Sequence, residues 1–183
     1  KKAGYQFDIH GMIKSFPELT LQINQSQLTK AIARVVQANL ADLGIKLNLK
    51  SLPWSEHFQA IDRGESGFFS LGWVADYPDA DNVLYNNFHT SGIESTYNSA
   101  RYTNQKVDDL LDKAREIGNE ATRLELYRKA EAIVIDEAPW IFLHYPTTYV
   151  VSHSYVNGLN LSAFGSSETD YYQVWLSSEA HLQ

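Results

Sequence analysis

The first third of the chain alternates apolar and polar positions with two different periods. Residues 18–24, ELTLQIN, are apolar at every second position and predict a half-buried strand. Apolar residues then recur at helical spacing until Gly44, a residue type typical of the left-handed position that ends a helix. Residues 44–52, GIKLNLKSL, return to the two-residue period and predict a second strand.

A shorter helix and a third strand are predicted next. Trp54, Phe58 and Ile61 recur at helical spacing and indicate a helix that ends near Gly64. Residues 67–75, GFFSLGWVA, are almost continuously apolar, which is typical of a strand buried on both faces. Strand, helix, strand, helix, strand at this spacing predicts two βαβ units with right-handed crossovers. The predicted fold class is therefore α/β, with an open, mixed but largely parallel sheet and flanking helices.

The middle of the chain changes in composition. Residues 78–103 are rich in Pro, Asp, Asn, Ser, Thr and Gly, and we expect a long surface loop there. Two amphipathic helices follow, the first capped by Thr103 or Asn104 and the second closed by Pro139.

The last quarter of the chain predicts two more strands. These are WIFLHY at 140–145 and TYVVSHSYV at 148–156. His144 would lie inside the first of them, and we expect it to be a hydrogen-bonded core histidine. The tail from residue 157 onward is rich in Gly, Ser and Tyr.

Length and composition fit one globular unit. The chain has 183 residues, of which 44% are hydrophobic and 20% charged. We interpret residues 1–183 as a single α/β lobe, with 157–183 as a candidate return segment toward a lobe outside this sequence. The opening residues, KKAGYQFD, contain neither an initiator Met nor the apolar core of a signal peptide, so we expect the sequence to be part of a longer chain.

Charge and residue types exclude several functions. The net charge of −7 disfavours nucleic acid and anionic membranes as partners, and the absence of Cys removes thiolate chemistry and Cys-type zinc sites. The six His residues show no metal-binding spacing, and no nucleophile, base and acid set is recognisable. DADN at 79–82 lacks the Gly and distal Glu of a calcium loop, and an Asx-turn is the better interpretation. We therefore predict no catalytic residue, no metal and no cofactor.

One carboxylate interrupts the most apolar stretch. In GWVADYPDAD, at 72–81, Asp76 follows directly on the predicted third strand. It is either a turn residue that begins the loop at Tyr77 and Pro78, or a binding group beyond the carboxyl end of a strand. In the second case, shielding by Trp73 and Tyr77 would strengthen its hold on a cation, such as a ligand ammonium, an Arg or a Lys.

Three segments together resemble a known family. GWVADYPDADN, LADLGIKLNLKSLPWSEHFQAIDRGE and the stretch from YTNQKVDD to IFLHY resemble extracytoplasmic solute-binding proteins of the oligopeptide and dipeptide class, family 5, which serve ABC importers. The resemblance covers most of residues 18–160. It implies a type II periplasmic-binding-protein-like architecture of two lobes that close on a ligand, with this chain as the C-terminal part of one lobe.

The resemblance also implies a binding site for short peptides. Asp76 would pair with the α-ammonium group of the peptide, Trp73 would form a wall, and the backbone of the adjoining strand would bond the peptide main chain. The residues expected to bind ligand are Gly72, Trp73, Val74, Ala75, Asp76 and Tyr77. Two positions depart from the family pattern: Ala80 stands where Pro is frequent, and the neighbourhood of Ser70 lacks the Arg that meets a ligand carboxylate in some members.

Location and partners follow from the same resemblance. It implies a protein of the periplasm or the outer face of the bacterial cell membrane, a candidate lipoprotein, whose partners are the permease of an ABC importer and the missing N-terminal lobe. Members of the family also bind nickel chelates, haem, sugars and opines, so the ligand stays open. Two alternatives from other classes are a protein-interaction domain that docks through residues 78–103 and a hydrolase fragment whose nucleophile lies outside this sequence.

Overall fold

The structure is a computed structural model that describes residues 4–95, 97–144, 147, 149–162 and 170–177. The chain divides into two compact units, Lys1–Gly72 and Trp73–Gln183. The assignment of residues 1–183 to one lobe stays a prediction. The return segment expected at 157–183 lies partly outside the described residues and stays a prediction as well.

The first unit is a βαβα arrangement, as the periodicity predicts. Its elements are β1 (Leu19–Asn24), α1 (Gln27–Ala41), β2 (Leu47–Leu52) and α2 (Trp54–Asp62). The two strands pair in parallel, with Leu19 beside Leu47 and Asn24 beside Leu52. Gly44 has the expected positive φ, +80°, in the turn between α1 and β2.

The two helices of this unit cover opposite faces of the strands. Leu21 and Ile23 are buried together with Ala33 of α1. Gln22, between them, faces the other way because side chains alternate along a strand. Its Nε2 donates to the carbonyl oxygen of His57 in α2 at 3.2 Å. The strands are thus covered on both sides, as parallel sheets usually are.

The predicted third strand is much shorter than residues 67–75. Only the surroundings of Phe69 pair with β1, in parallel with Gln22. The Gln22 N–H donates to the Phe68 carbonyl, and the Ser70 N–H donates to the Gln22 carbonyl, both at 2.9 Å.

The length of β1 explains this early end. Since Gln22 lies beside Phe69, the last residue of β1, Asn24, lies opposite residue 71. The Asn24 side chain then accepts from the Ser26 N–H at 2.9 Å, where the chain turns towards α1. The ladder with β1 therefore does not extend beyond residue 71.

Three helices form the core of the second unit. They are α3 (Ala80–Phe88), α4 (Gln105–Glu116) and α5 (Glu120–Glu137), and two short strands, β3 (Val156–Asn157) and β4 (Trp175–Leu176), pair antiparallel. The buried side chains shared by the helices are Phe88, Val107, Leu111, Ala114, Leu126, Tyr127, Ala130 and Val134. Asn104 caps α4, accepting from the Lys106 N–H at 3.0 Å, and α5 ends just before Pro139, as predicted.

The prediction of a loop over 78–103 is wrong. The segment contains α3 and a 3-10 helix at Thr90–Ile93. Asp79 begins α3 by accepting from the Asp81 N–H at 2.8 Å, which is the Asx geometry expected for DADN. The hydrophobic pattern did not predict α3, because several buried residues of this helix are polar and hydrogen-bonded. They are Asp81, Asn82 and Asn87.

The strands predicted at 140–145 and 148–156 are also wrong for the residues that the structure describes. Residues 140–144 and 149–155 form no ladder, and β3 begins only at Val156. His144 is exposed, not a core residue. Residues 145, 146 and 148 lie outside the described part. An apolar alternation predicts a strand only where a partner strand is available to pair with it.

Candidate ligand-binding site

A buried asparagine organises the stretch that contains Asp76. Asn82, in the first turn of α3, is 1% exposed. Its Oδ1 accepts from the indole Nε1 of Trp73 at 2.8 Å and from the backbone N–H of Asp76 at 3.3 Å. Its Nδ2 donates to Oδ2 of Asp76 at 3.4 Å. Asn82 therefore holds together the two side chains on which the sequence-based site depends.

Two neighbouring carboxylates are already paired with arginines. Asp79 forms a bidentate ion pair with Arg123 of α5, at 2.6 and 2.7 Å. Burial opposes ionisation of Asp79, but the Arg123 guanidinium and the Asp81 N–H outweigh it and hold the pKa of that carboxyl below its ordinary value. The hydrogen bonds that Arg123 donates to Asp79 raise the pKa of the Arg123 guanidinium.

The second of these carboxylates, Asp81, is 7% exposed. Arg115 of α4 approaches Oδ1 of Asp81 at 3.1 Å. The Tyr77 hydroxyl donates to Oδ2 at 2.9 Å, and the Tyr127 hydroxyl donates to Oδ1 at 3.3 Å. Burial, together with this carboxylate, raises the pKa of Tyr77. Asp81 is thus a structural group that joins the beginning of α3 to α4 and α5.

Asp76 differs from both of these residues. It is exposed, and in the described part of the chain no Lys, Arg or His forms an ion pair with it. The Trp73 indole donates to Asn82 and the Tyr77 hydroxyl to Asp81, and shielding of Asp76 by these two rings stays a prediction. Of the three carboxylates at 76, 79 and 81, only that of Asp76 is open to a cation from outside.

A second aromatic ring stands beside Trp73. Tyr97 meets the indole edge to face, with ring centroids 5.6 Å apart and an interplanar angle of 84°. Tyr97 is 52% exposed, so its ring is free to contact a ligand as well. Sequence reasoning missed Tyr97 and Asn82 because both lie in the segment interpreted as a loop.

Three further residues of the predicted site offer backbone N–H and C=O groups to a ligand. Gly72 and Val74 are exposed and Ala75 is half-buried. Within residues 4–95 and the other described ranges, their N–H and C=O groups make no backbone hydrogen bond. Unpaired backbone of this kind can take up an added strand.

The described residues contain neither a metal-binding cluster nor a membrane-spanning helix. They contain no group of three or more His, Asp or Glu side chains arranged to hold a metal ion. No helix in that part of the chain combines the length and the apolar character needed to cross a bilayer.

Comparison with known proteins identifies the family. Residues 1–95 match the family described as bacterial extracellular solute-binding proteins, family 5 Middle. This chain belongs to that family. Among its curated relatives, the di/tripeptide-binding protein 4 of Pseudomonas aeruginosa is 38% identical over 126 residues, 69% of this chain and 24% of that protein. The heme-binding protein A of Haemophilus influenzae is 32% identical over 136 residues, 74% of this chain and 25% of that protein.

A solved structure of similar fold carries a peptide. The ABC transporter-associated periplasmic binding protein DppA from Helicobacter pylori, in complex with the peptide STSA, superposes with a TM-score of 0.74 and 29% identity, covering 87% of this chain and 31% of that chain. The prediction of an α/β fold of the type II periplasmic-binding-protein class is thereby confirmed. This family 5 chain spans about a quarter of the length of the curated relatives it matches.

The ion pair between Asp79 and Arg123 gives a pH-dependent prediction. Asp79→Asn keeps an oxygen to cap α3 but removes the charge, and we expect a loss of about 1–3 kcal/mol in the free energy of unfolding at pH 7. Because the folded-state pKa of Asp79 is lowered, its contribution is fully present above about pH 4 and is lost as pH falls through the folded value. Denaturation of wild type and variant should therefore differ at pH 7 and converge near pH 2.

The matched control is an exposed ion pair in the same unit. Glu125 and Lys129 pair at 3.1 Å with both side chains more than half exposed. Glu125→Gln should change the free energy of unfolding by less than about 0.5 kcal/mol at any pH. A difference for Asp79→Asn that is equally large at pH 7 and pH 2 would contradict the electrostatic origin.

Proposed function

We propose that this chain belongs to the solute-binding protein of an ABC importer that captures short peptides, and that Asp76 receives the α-ammonium group of the peptide. The observation that carries the proposal is the contrast among three carboxylates. Asp79 and Asp81 are paired with Arg123 and Arg115, whereas Asp76 is exposed and has no ion pair within the described residues.

The chemistry of the site suits an ammonium group. An ionised carboxylate only accepts hydrogen bonds, and an ammonium offers three donors. Charge-assisted hydrogen bonds of this kind are roughly twice as strong as neutral ones. Trp73, which shares the partner Asn82 with Asp76, and Tyr97, which packs against Trp73, supply flat apolar surface that suits the first side chain or the main chain of a peptide.

Backbone groups suit the rest of an extended peptide. Gly72, Val74 and Ala75 leave N–H and C=O groups without backbone partners in the described part of the chain. A peptide that pairs with them gains affinity with little demand on its sequence. The named relative that binds di- and tripeptides and the neighbour that holds the peptide STSA favour this ligand class over the others in the family.

The proposed mechanism is capture without catalysis. A second lobe, the N-terminal one, closes over the ligand by a hinge motion, and the ligand stabilises the closed form. The closed protein then delivers the peptide to the membrane permease of the importer. The place of action is the periplasm or the outer face of the cell membrane, where a lipid anchor would retain the protein. No bond in the peptide is broken.

A titration series tests the ammonium contact. Calorimetry on the complete protein should detect binding of di- to pentapeptides with a free amino terminus. The same peptides with an acetylated amino terminus should bind at least about thirtyfold more weakly, because the loss of a charged partner costs on the order of 2 kcal/mol or more. Haem and a nickel chelate serve as alternative ligands. Equal affinity for free and acetylated peptides, or binding of haem alone, would overturn the proposal.

A further inference from the structure

We infer that Asn82 is a positioning residue of the ligand site, which couples the indole of Trp73 to the carboxylate of Asp76. The inference rests on the proposed function for the identity of the ligand, but its geometry is independent of it. Asn82 is nearly inaccessible and lies in a helix, so it would not itself touch the peptide.

The orientation of the Asn82 amide is determined by its partners. The indole Nε1 of Trp73 and the backbone N–H of Asp76 can only donate, and both approach the same amide atom, at 2.8 and 3.3 Å. That atom must be the carbonyl oxygen. The amide NH2 therefore faces Oδ2 of Asp76, at 3.4 Å.

The backbone of Asn82 is held in place. Its N–H donates to the carbonyl of Asp79 at 3.1 Å, and its carbonyl accepts from Nδ2 of Asn86 at 2.9 Å. The beginning of the helix is itself held by the ion pair of Asp79 with Arg123. A side chain on a fixed backbone, with its amide in one orientation, positions its neighbours more precisely than a mobile one.

A neutral amide is the chemical type that this position requires. A Lys or Arg here would form an ion pair with Asp76, as Arg123 does with Asp79, and would compete with the ligand ammonium. An Asp would accept from Trp73 but would place a second negative charge against Asp76. A Leu would leave the indole N–H and the backbone N–H of Asp76 without a partner. An amide combines an acceptor, a donor and no charge.

A double-mutant cycle in the complete protein tests the coupling. Asn82→Leu should lower the affinity for a free-amine tripeptide about tenfold, because Asp76 and Trp73 lose their common partner. In the Asp76→Asn background the same change should have a clearly smaller effect, limited to the part that acts through Trp73. Acetylated peptides, which do not use Asp76, should show only that smaller loss when Asn82 is replaced by Leu.

The matched control is a second buried asparagine of the same helix. Asn87 is 2% exposed, and its Nδ2 donates only to the Val83 carbonyl, at 2.9 Å. Asn87→Leu should leave peptide affinity unchanged while altering the melting temperature. Equal losses of affinity for Asn82→Leu and Asn87→Leu would show a general packing effect and overturn the inference.

A milder variant keeps the test valid if Asn82→Leu does not fold. Asn82→Asp retains acceptors for Trp73 and for the Asp76 N–H but sets two carboxylates against each other. Such a pair shares a proton, which an arriving ammonium should displace. Calorimetry in buffers of different ionisation enthalpy should therefore show more proton release on peptide binding by Asn82→Asp than by wild type. Equal proton release would contradict the inference.

These outcomes distinguish the proposed ammonium contact of Asp76 from the proposed positioning role of Asn82. If Asp76→Asn weakens peptide binding but Asn82→Leu does not, and Asn82→Asp releases no extra proton, the ammonium contact stands and the role of Asn82 is wrong. If Asp76→Asn itself leaves affinity unchanged, the proposed function fails and the inference fails with it.

Discussion

Asp76→Asn in the complete protein should weaken the binding of free-amine peptides by about 2–4 kcal/mol, or roughly 30- to 1000-fold. The substitution preserves shape and leaves an oxygen that can accept from Nδ2 of Asn82, as Oδ2 of Asp76 does now at 3.4 Å. It removes the charge and replaces one acceptor oxygen by an NH2 donor. The loss is large because the ligand ammonium, once covered by the closed protein, would lie beside a neutral amide without a counter-ion.

The control for this prediction is another Asp→Asn change. Asp109 is exposed on α4 and accepts from Nε2 of Gln105 at 2.9 Å. Asp109→Asn alters the net charge by the same amount and should leave peptide affinity unchanged. Calorimetric titration of both variants with one tripeptide measures the difference. Wild-type affinity in Asp76→Asn would reduce Asp76 to a turn residue.

Phe88→Ala should have the largest effect on stability, a loss of about 3–5 kcal/mol in the free energy of unfolding. Phe88 is 1% exposed at the end of α3, with ring centroids 4.8 Å from Trp140 and 6.2 Å from Tyr102. Removal of the ring leaves a cavity where α3 meets α4 and α5. Chemical denaturation of the complete protein, followed by circular dichroism, measures the loss.

An exposed phenylalanine provides the comparison. Phe58 of α2 is 41% exposed and makes one ring contact, with Trp54 at 6.2 Å between centroids. Phe58→Ala should cost clearly less than Phe88→Ala, about 1–2 kcal/mol, since a large part of the Phe58 side chain is already in water. Similar losses for the two variants would indicate that Phe88 is not a core residue of the helical unit.

The hydrophobic pattern predicted the first unit well because its elements obey simple periods. The alternation in β1 and β2 and the helical spacing in α1 and α2 mark elements that the structure forms, although β1 is buried on both faces. The third strand was predicted too long, since apolar composition does not reveal that β1 ends at Asn24, opposite residue 71.

The hydrophobic pattern did not predict α3, because several buried residues of this helix are polar. Asn82 and Asn87 are buried because each is hydrogen-bonded, and a pattern based on apolar residues treats them as loop. The exposed apolar side chains of residues 141–143 led to the opposite error, a strand where the structure has none.

The sequence by itself determined the family and the α/β class, because local motifs and periods carry that information, and it directed attention to the stretch from Gly72 to Tyr77. Only the tertiary structure decided which carboxylate is open. Asp79 meets Arg123, 44 positions away along the chain, and Asp81 meets Arg115, whereas the Asp76 carboxylate, among the described residues, contacts the Asn82 amide and no basic side chain. Such pairing depends on how α3, α4 and α5 pack against one another, and no local pattern contains it.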